Sequence, residues 1–294
     1  MLKLLKQRNF ALLWSGGLIS QIGNWLLLTA MPFYVFDLTG SALATSAIII
    51  AFTAPGILLG SLGGVLADRW DRKRTMLIVS ILQTAVLLPL LFVNSAADVW
   101  IIYAVLFAES SLSFFFAPAE GALLPNLVSE EDLVTANSLN GLNDNLARIG
   151  GPALGGLLLG ISGFGSVVLI DAATYLIATV LIFFVQSPAS EAERIEKKRA
   201  EQSGETAVSP LQSLWQEWQA GVKVVRTSQT LRRLFLIIGI AMFADAMLSA
   251  ILVVFVQTVM GLDAVQFGWL MTARGIGGIV GGLLIGQFGQ KLDS

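Results

Sequence analysis

The sequence is divided into eight long apolar stretches, each about as long as a helix that crosses a bilayer. They cover approximately residues 10–36, 42–67, 75–94, 99–118, 138–161, 164–186, 234–259 and 264–288. A helix needs about 20 predominantly apolar residues to cross a hydrocarbon core of about 30 Å. Backbone amides find no water in that core, so each stretch must be helical. The sequence therefore predicts an all-α membrane protein with eight spans.

Composition argues against several classes of function. Of the 294 residues, 55% are hydrophobic and 13% are charged, whereas soluble domains carry roughly a quarter charged residues. The net charge of -2 gives no indication of a nucleic-acid partner. The sequence has no Cys and no His, and it contains no phosphate-loop motif, so it predicts neither an enzyme nor a metal or cofactor site. Any proton carrier must then be a carboxylate.

Lys and Arg are distributed unevenly between the two sides of the predicted spans. Sixteen of the 18 lie on one side, at the N-terminus, after the second span, between the sixth and seventh spans, and after the eighth. The loops on the other side contain none, and the remaining two, Arg148 and Arg274, fall within spans. Because short loops rich in Lys and Arg stay in the cytoplasm, we expect a multi-pass protein of the bacterial inner membrane with a cytoplasmic N-terminus.

A hydrophilic segment, 187–233, separates six predicted spans from two. In its second part, apolar residues recur at helical spacing, at Leu211, Leu214, Trp215, Trp218, Val222 and Val225. This spacing predicts an amphipathic helix, which lies either on the membrane surface or against the cytoplasmic ends of the spans. The expected domains are thus an N-terminal six-helix bundle (1–186), a cytoplasmic linker (187–233) and a partial C-terminal bundle of two helices (234–294).

The second and eighth spans share a spacing of glycines. Gly60 and Gly64 are matched by Gly278 and Gly282 at one offset of 218 residues. Repeated halves are typical of secondary transporters, whose binding site lies between the halves near the middle of the membrane. Glycine-rich helices also match by chance, because small residues are common where membrane helices pack.

Residues 64–74, GVLADRWDRKR, resemble the loop between spans two and three of the major facilitator superfamily, Gly-x-Leu-x-Asp-Arg-x-Gly-Arg-Arg/Lys. The matching residues are Gly64, Leu66, Asp68, Arg69, Arg72 and Lys73. Asp71 stands where the pattern has Gly. The resemblance implies the major facilitator fold, with a complete six-helix N-terminal bundle and the first two helices of the C-terminal bundle. Because the family has two six-helix halves, the sequence is expected to be either a fragment or a truncated, inactive relative.

Two further motifs narrow the resemblance within the family. The first is similar to the Gly-Pro-x-x-Gly-Gly motif of drug:proton antiporters and consists of Gly151, Pro152, Gly155 and Gly156. The alternative is that these small residues only allow another helix to pack closely. The stretch FFFAPAEGALLPNLVSEEDLVTANSL resembles the connection between spans four and five in the macrolide-efflux and enterobactin-exporter branch. Ser129 and Asp132 within it also fit a capping box that opens a helix.

Ionisable residues inside spans are functional-site hypotheses, because they are costly there. The proton-coupling candidates are Glu109, Asp144, Arg148, Asp245 and Arg274. Glu109 and Asp245 lead, since an antiporter needs a carboxylate that loads and releases a proton. For each of them the alternative is a structural pair with Arg148 or Arg274. Asp144 and Arg148 lie one turn apart, so we expect an ion pair between them. The family's Arg in span four is absent.

The resemblance also implies a gate and a cavity. In related transporters the loop-motif Asp and Arg latch the halves together with an acid at the end of span four, and Asp68, Arg72 and Glu120 occupy matching positions. Such a charge cluster is expected to favour the outward-open state. Asn24 follows Gly23 where the enterobactin and macrolide branch often has an acid or Asn. Trp25 is one of several aromatic residues that either line an apolar cavity or serve as packing residues and interfacial anchors.

Together these patterns predict a monomeric secondary transporter that exports small amphiphilic, macrolide-like molecules by proton antiport and alternating access. Its partners are then the lipid bilayer, a small-molecule substrate and protons. The alternatives are a truncated fragment without transport activity, or an exporter of siderophores or lipids. The direction of transport depends on the coupling, so uptake is a further alternative.

Overall fold

The computed structural model describes residues 3–67, 71–186 and 227–288, and in these ranges it contains helices and turns but no β-strand. The helices are α1 (Arg8–Thr39), α2 (Ala42–Ala67), α3 (Arg72–Leu87), α4 (Val99–Leu123), a longer helix (Leu133–Phe183), and two more, Gln229–Thr258 and Ala264–Phe288. The expected all-α class is confirmed. The amphipathic helix predicted for the linker lies outside the described residues.

The longer helix is bent sharply at Gly163. This residue has φ 76° and ψ 174°, a conformation that only glycine adopts without strain. It separates α5 (133–162) from α6 (164–183), and the two later helices are therefore α7 (Gln229–Thr258) and α8 (Ala264–Phe288). A second left-handed glycine, Gly40, ends α1 with φ 60° and donates its N–H to the Phe36 carbonyl.

Four helical segments of the described chain are long and apolar enough to cross a membrane: Arg8–Thr39, Arg72–Phe92, Ala96–Asn126 and Glu130–Phe183. The last has 54 residues, or about 80 Å of helix, and the bend at Gly163 lies within it. Shorter apolar helices cover Ala42–Gly56 and Met247–Thr258. The total of eight spans thus stays a prediction.

A helix begins directly after the Ser129–Asp132 segment, at Leu133, but the capping box expected there is wrong. The Ser129 hydroxyl donates to the Asp132 carboxylate over 3.0 Å, and neither side chain caps a backbone N–H. A capping box forms instead at Ser95, where the Asp98 carboxylate accepts from the Ser95 backbone N–H over 3.0 Å.

Hydrogen bonds between helix ends define two faces of the bundle. At the face that holds the start of α1, the amino-terminal face, Asn9 Nδ2 donates to the Gln186 carbonyl over 2.7 Å and Lys73 Nζ donates to the Phe183 carbonyl over 2.7 Å. At the opposite face, Tyr34 stacks on Phe164 with ring centroids 4.2 Å apart. The helices therefore run up and down between the two faces.

Buried apolar side chains form three clusters. One lies near the amino-terminal face around Phe10 and Met76, and a second lies toward the opposite face around Met31 and Ile102. The third joins α1, α7 and α8 at the opposite face through Phe36, Val253, Val256 and Phe267. Many large apolar side chains on the outside are exposed, as expected for a surface in contact with lipid tails.

Candidate functional site

A cavity of about 2060 Å³ lies between α1, α2, α4 and α5 on one side and α7 and α8 on the other. This volume exceeds that of most drug-sized pockets, which hold roughly 300–1,000 Å³. Its apolar wall includes the rings of Phe52, Phe114 and Phe116. Its polar lining includes Ser20, Gln21, Asn24, Gln83, Ser110, Glu120, Asn140, Asn143, Asp144, Tyr175 and Asp245. The described lining thus contains three carboxylates and no Lys or Arg.

Polar contacts between α1 and α5 set the position of several lining residues. Trp14 Nε1 donates to the Leu139 carbonyl over 2.9 Å, and Asn143 Nδ2 donates back to the Trp14 carbonyl over 3.0 Å. The next residue of α5, Asp144, accepts from Gln21 Nε2 over 2.6 Å. These bonds hold the carboxylate of Asp144 and the amide of Asn143 at the cavity wall.

The glycine motif of α5 brings two other helices close. A Cβ at Gly151 would overlap the side chain of Trp25, and one at Gly155 would overlap the backbone of Leu26, so α1 approaches to backbone distance. Gly156 faces the other way, toward Ala264 and Gly268 of α8. The motif therefore has the packing role that its small residues indicate, and it acts on α1 and α8 together.

Gly150 and Gly155 of α5 are expected to differ sharply in their tolerance of a methyl group. At Gly150 a Cβ would meet nothing within 4 Å, so Gly150→Ala should leave the melting temperature unchanged or raise it slightly. At Gly155 it would strike the Leu26 backbone, so Gly155→Ala should destabilise the protein by about 1–3 kcal/mol. Thermal unfolding of the purified variants measures the difference, and equal melting temperatures would contradict the close α1–α5 contact.

Glu109 lies behind the cavity wall rather than on it. Its side chain is only 4% exposed, and its Oε1 accepts hydrogen bonds from the Tyr175 hydroxyl over 2.7 Å and from Gln83 Nε2 over 3.2 Å. Gln83 Nε2 also donates to Ser113 Oγ over 3.2 Å. Tyr175, Gln83 and Ser113 line the cavity themselves, so Glu109 is one side chain away from it. Among the described residues Glu109 forms no ion pair, either with Arg148 or with Arg274.

Asp171 joins Glu109 in the interior. It is 1% exposed, accepts from the Thr174 hydroxyl over 3.3 Å, and lies one helical turn before Tyr175, which bonds Glu109. Gly23 makes room for it, because a Cβ there would overlap the Asp171 carboxylate. We call Gln83, Glu109, Asp171 and Tyr175 the buried acid cluster. Asp171 is not among the site residues that the sequence predicts, although Asp171 and Tyr175 share a helix face at a spacing of four.

Asp245 has the cation partner that the sequence left open as an alternative. Its carboxylate pairs with the Arg274 guanidinium, which also donates to Ser249 Oγ over 3.0 Å. The Asp245 side chain is 61% exposed and the Arg274 side chain 29% exposed. Asp245 therefore lines the cavity from α7 and has its partner on α8, and it is far more exposed than Glu109.

The ion pair expected between Asp144 and Arg148 is absent from the described part of the structure. Asp144 accepts from Gln21, and the Arg148 guanidinium lies 5.4 Å from the centre of the Trp25 ring. Trp25 consequently packs along α5 as a cation–π partner, while its neighbour Asn24 lines the cavity. The contact of Arg148 with the Trp25 ring on α1 takes the place of the expected pair.

The predicted gating residues are only partly described. Asp68 and Arg69 lie outside the described residues, and Gly64 is in the last turn of α2. Arg72 and Lys73 begin α3, and the Lys73 ammonium lies over the Phe183 ring. Glu120 reaches the cavity from the last turn of α4. The latch therefore stays a prediction.

Comparison with known proteins places these features in a family. Residues 13–294 match the profile of the Major Facilitator Superfamily, so the resemblance read from the sequence is confirmed. The chain is 26% identical over 282 residues to the uncharacterized MFS-type transporter YfiS of Bacillus subtilis, covering 96% of this chain and 64% of YfiS. It is 27% identical over 284 residues to macrolide efflux protein A of Streptococcus pyogenes, covering 96% and 67%. The chain thus spans about two thirds of the length of these relatives.

Proposed function

Because this chain belongs to the Major Facilitator Superfamily, whose members are transporters and not enzymes, we propose that it exports small amphiphilic molecules by proton antiport. The observation that carries the proposal is the large cavity, whose wall is apolar and carries carboxylates, with the buried acid cluster directly behind it. The similarity to a macrolide efflux protein supports a bulky amphiphilic substrate, and it favours neither a siderophore nor a lipid. The substrate would be exported across the bacterial inner membrane.

Alternating access would use the helices on the two sides of the cavity. Helices α1 to α6 would form the six-helix bundle of residues 1–186. Helices α7 and α8 would begin the partial second bundle, with α7 starting at Gln229, inside the segment 187–233 that the sequence predicts as a linker. Phe36, Val256 and Phe267 join α1, α7 and α8 in one apolar cluster at the opposite face, which is the outer face if the N-terminus is cytoplasmic. Export would then require the separation of α7 and α8 from α1 at that face.

The buried acid cluster is the proposed site of proton coupling. Two carboxyl groups buried together, with no cation beside them among the described residues, are stable only if at least one carries a proton. Gln83 and Tyr175 bond Glu109 and also face the cavity, so a substrate that displaces either side chain would alter how Glu109 holds its proton. Asp171 thereby joins Glu109 as a coupling residue, whereas Asp245 is already neutralised by Arg274.

A transport assay tests the proposal. The purified protein is reconstituted in vesicles, and efflux of a fluorescent amphiphile or of radiolabelled macrolide is followed under an imposed proton gradient. Export that stops when a protonophore collapses the gradient supports antiport. Export that persists rejects proton coupling, and the absence of any substrate movement favours the inactive alternative.

The Asp245–Arg274 pair is expected to be structural. Since both side chains are partly exposed, Asp245→Asn should cost less than about 1 kcal/mol of stability. Asp245→Arg and Arg274→Asp are the two single exchanges, and the double variant that combines them should restore most of the transport that either one loses. Export rates of these three variants in vesicles measure this. If the double variant folds normally but does not regain export, Asp245 has a role that depends on its position.

A further inference from the structure

Four α-helices of the described structure have a proline in their interior, and each proline removes one backbone donor. They are Pro32 in α1, Pro55 in α2, Pro118 in α4 and Pro152 in α5. Proline has no N–H, so the carbonyl four residues before it loses its partner in the helix. The ring also crowds that carbonyl and bends the helix away from itself, which opens the helix on the side of the ring.

Two of these four prolines face the cavity. Pro32 and Leu28, the residue four positions before it, both line the wall, on a stripe of α1 that also includes Asn24. On α4, Pro118 and Phe114 line the wall in the same way. Residues four apart lie on one face of a helix, and the carbonyl of the first points along the axis toward the second. The carbonyls of Leu28 and Phe114 therefore open on the cavity from two different helices.

The prolines of α2 and α5 do not line the cavity, and each has a donor from a neighbouring helix close by. Ser110 Oγ of α4 donates over 2.8 Å to the Phe52 carbonyl, three residues before the proline of α2. Thr272 Oγ1 of α8 donates over 2.8 Å to the Ile149 carbonyl, three residues before the proline of α5. Membrane helices tolerate proline because such Ser and Thr side chains, or ordered waters, bond the carbonyls that it frees.

The two carbonyls at the cavity wall have no such donor within the protein. In the described ranges, no side chain donates a hydrogen bond to the carbonyl of Leu28 or to that of Phe114. The wall around the cavity is largely apolar. An apolar ligand that covers either carbonyl would displace water from the oxygen and leave it unpaired, which is costly. The two carbonyls therefore favour a ligand that brings its own hydrogen-bond donor.

We propose that the carbonyls of Leu28 and Phe114 are two neutral acceptor sites, which bind hydroxyl or N–H groups of an amphiphilic substrate. The inference rests on the proposed function, since the apolar remainder of the substrate would occupy the same cavity. A backbone carbonyl has no formal charge, so these sites bind uncharged donors and need no cation. They select amphiphiles that carry a hydroxyl over the corresponding ethers, which have no donor.

Two matched fluorescent probes test the acceptor sites. One is the dansylamide of N-methyl-3-hydroxypropylamine, whose hydroxyl is its only donor, and the other is its methyl ether, which has none. Their affinities for the purified full chain are measured by fluorescence. The ratio of the two affinities is then compared between variants, so that the difference in hydrophobicity between the probes cancels.

Pro32→Ala and Pro118→Ala remove the acceptors without deleting a polar side chain. Alanine supplies the missing N–H, which re-forms the helical bond and occupies the carbonyl. In the double variant the affinity ratio should shift about fivefold toward the ether, since one neutral hydrogen bond is lost. Each single variant should give part of this shift. Pro55→Ala is the matched control and should leave the ratio unchanged, because Ala51, whose carbonyl this proline frees, does not line the cavity.

The same ratio separates hydrogen bonding from a change in helix shape. If the prolines only bend α1 and α4, the double variant changes both affinities by the same factor, and an unchanged ratio overturns the acceptor sites. Alanine is far more favourable than proline inside a helix, so the variants should fold, and the single variants decide if the double variant does not.

The transport assay distinguishes failure of the sites from failure of the proposed function. An unchanged ratio in variants that still export substrate rejects the acceptor sites alone. If neither probe binds but vesicles export a macrolide, the acceptor sites are likewise rejected and the transport cavity stands. If neither probe binds and vesicles move no substrate, the proposed function fails together with the sites.

Discussion

Glu109→Gln is expected to reduce proton-driven export to the background rate while leaving the protein folded. Gln has the size of Glu, and its Oε1 still accepts from the Tyr175 hydroxyl and from Gln83 Nε2. What it loses is the ability to take up and release a proton. Because Glu109 is buried without a cation partner in the described residues, its neutral replacement should not lower the melting temperature. Export under a proton gradient and thermal unfolding are the two measurements.

Controls for Glu109→Gln separate coupling from binding. Substrate exchange across vesicles without a proton gradient should persist in the variant, because the cavity wall is intact. Glu131→Gln, in an exposed acid next to α5, should retain the full rate of proton-driven export. Asp171→Asn should impair coupling in the same way as Glu109→Gln if the two acids share a proton. Unchanged gradient-driven export in Glu109→Gln would remove the buried acid cluster from the mechanism.

The apolar stretches predicted the helices well because each helix in a membrane must satisfy its own backbone, so length and hydropathy suffice. The break expected between residues 161 and 164 lies at Gly163, whose positive φ ends α5. Polar helix ends were predicted less accurately, since α7 begins at Gln229, before the apolar stretch predicted from residue 234, and the capping box expected at Ser129 and Asp132 does not form. Family membership followed from the motif at residues 64–74 and was confirmed over residues 13–294.

The partners of the charged residues were harder to predict, because they come from other helices. Asp245 meets Arg274 across 29 positions, and Glu109 meets Tyr175 across 66. Helical spacing alone suggested Asp144 with Arg148, yet Arg148 turns to an aromatic ring on α1. Short-range periodicity places a residue on a face, but only the packing of the helices decides what stands opposite.

Neighbouring glycines in α5 illustrate the same limit and lead to a second large effect. Gly155 packs on α1, which belongs to the same proposed bundle, whereas Gly156 packs on α8 of the other. Thr272 Oγ1 of α8 also donates to the Ile149 carbonyl of α5 over 2.8 Å. A methyl group at Gly155 would therefore destabilise every conformation, but one at Gly156 would destabilise only the state in which α5 and α8 touch. Gly155→Ala should thus lower the stability of the protein, whereas Gly156→Ala should change the populations of its states.

Gly156→Ala is accordingly expected to shift the conformational equilibrium away from the state seen here and to slow export by roughly tenfold or more. A Cβ at Gly156 would overlap the Ala264 carbonyl and the Gly268 backbone, and backbone atoms cannot move aside as side-chain ends do. About 1–3 kcal/mol of strain in one state changes its population by about five- to a hundredfold. Since the sequence has no Cys, spin labels on cysteines introduced at exposed Ile161 and Trp269 report the α5–α8 distance.

The distance distribution decides between a shift of state and simple unfolding. In Gly156→Ala the labels should move to longer distances while the melting temperature stays within a few degrees of the unmodified value, whereas Gly150→Ala should change neither. Gly268→Ala should reproduce the effect from the α8 side, and the double variant should add little, because both methyl groups strain the same contact. Unaltered distances and export in Gly156→Ala would mean that the α5–α8 contact does not control access to the cavity.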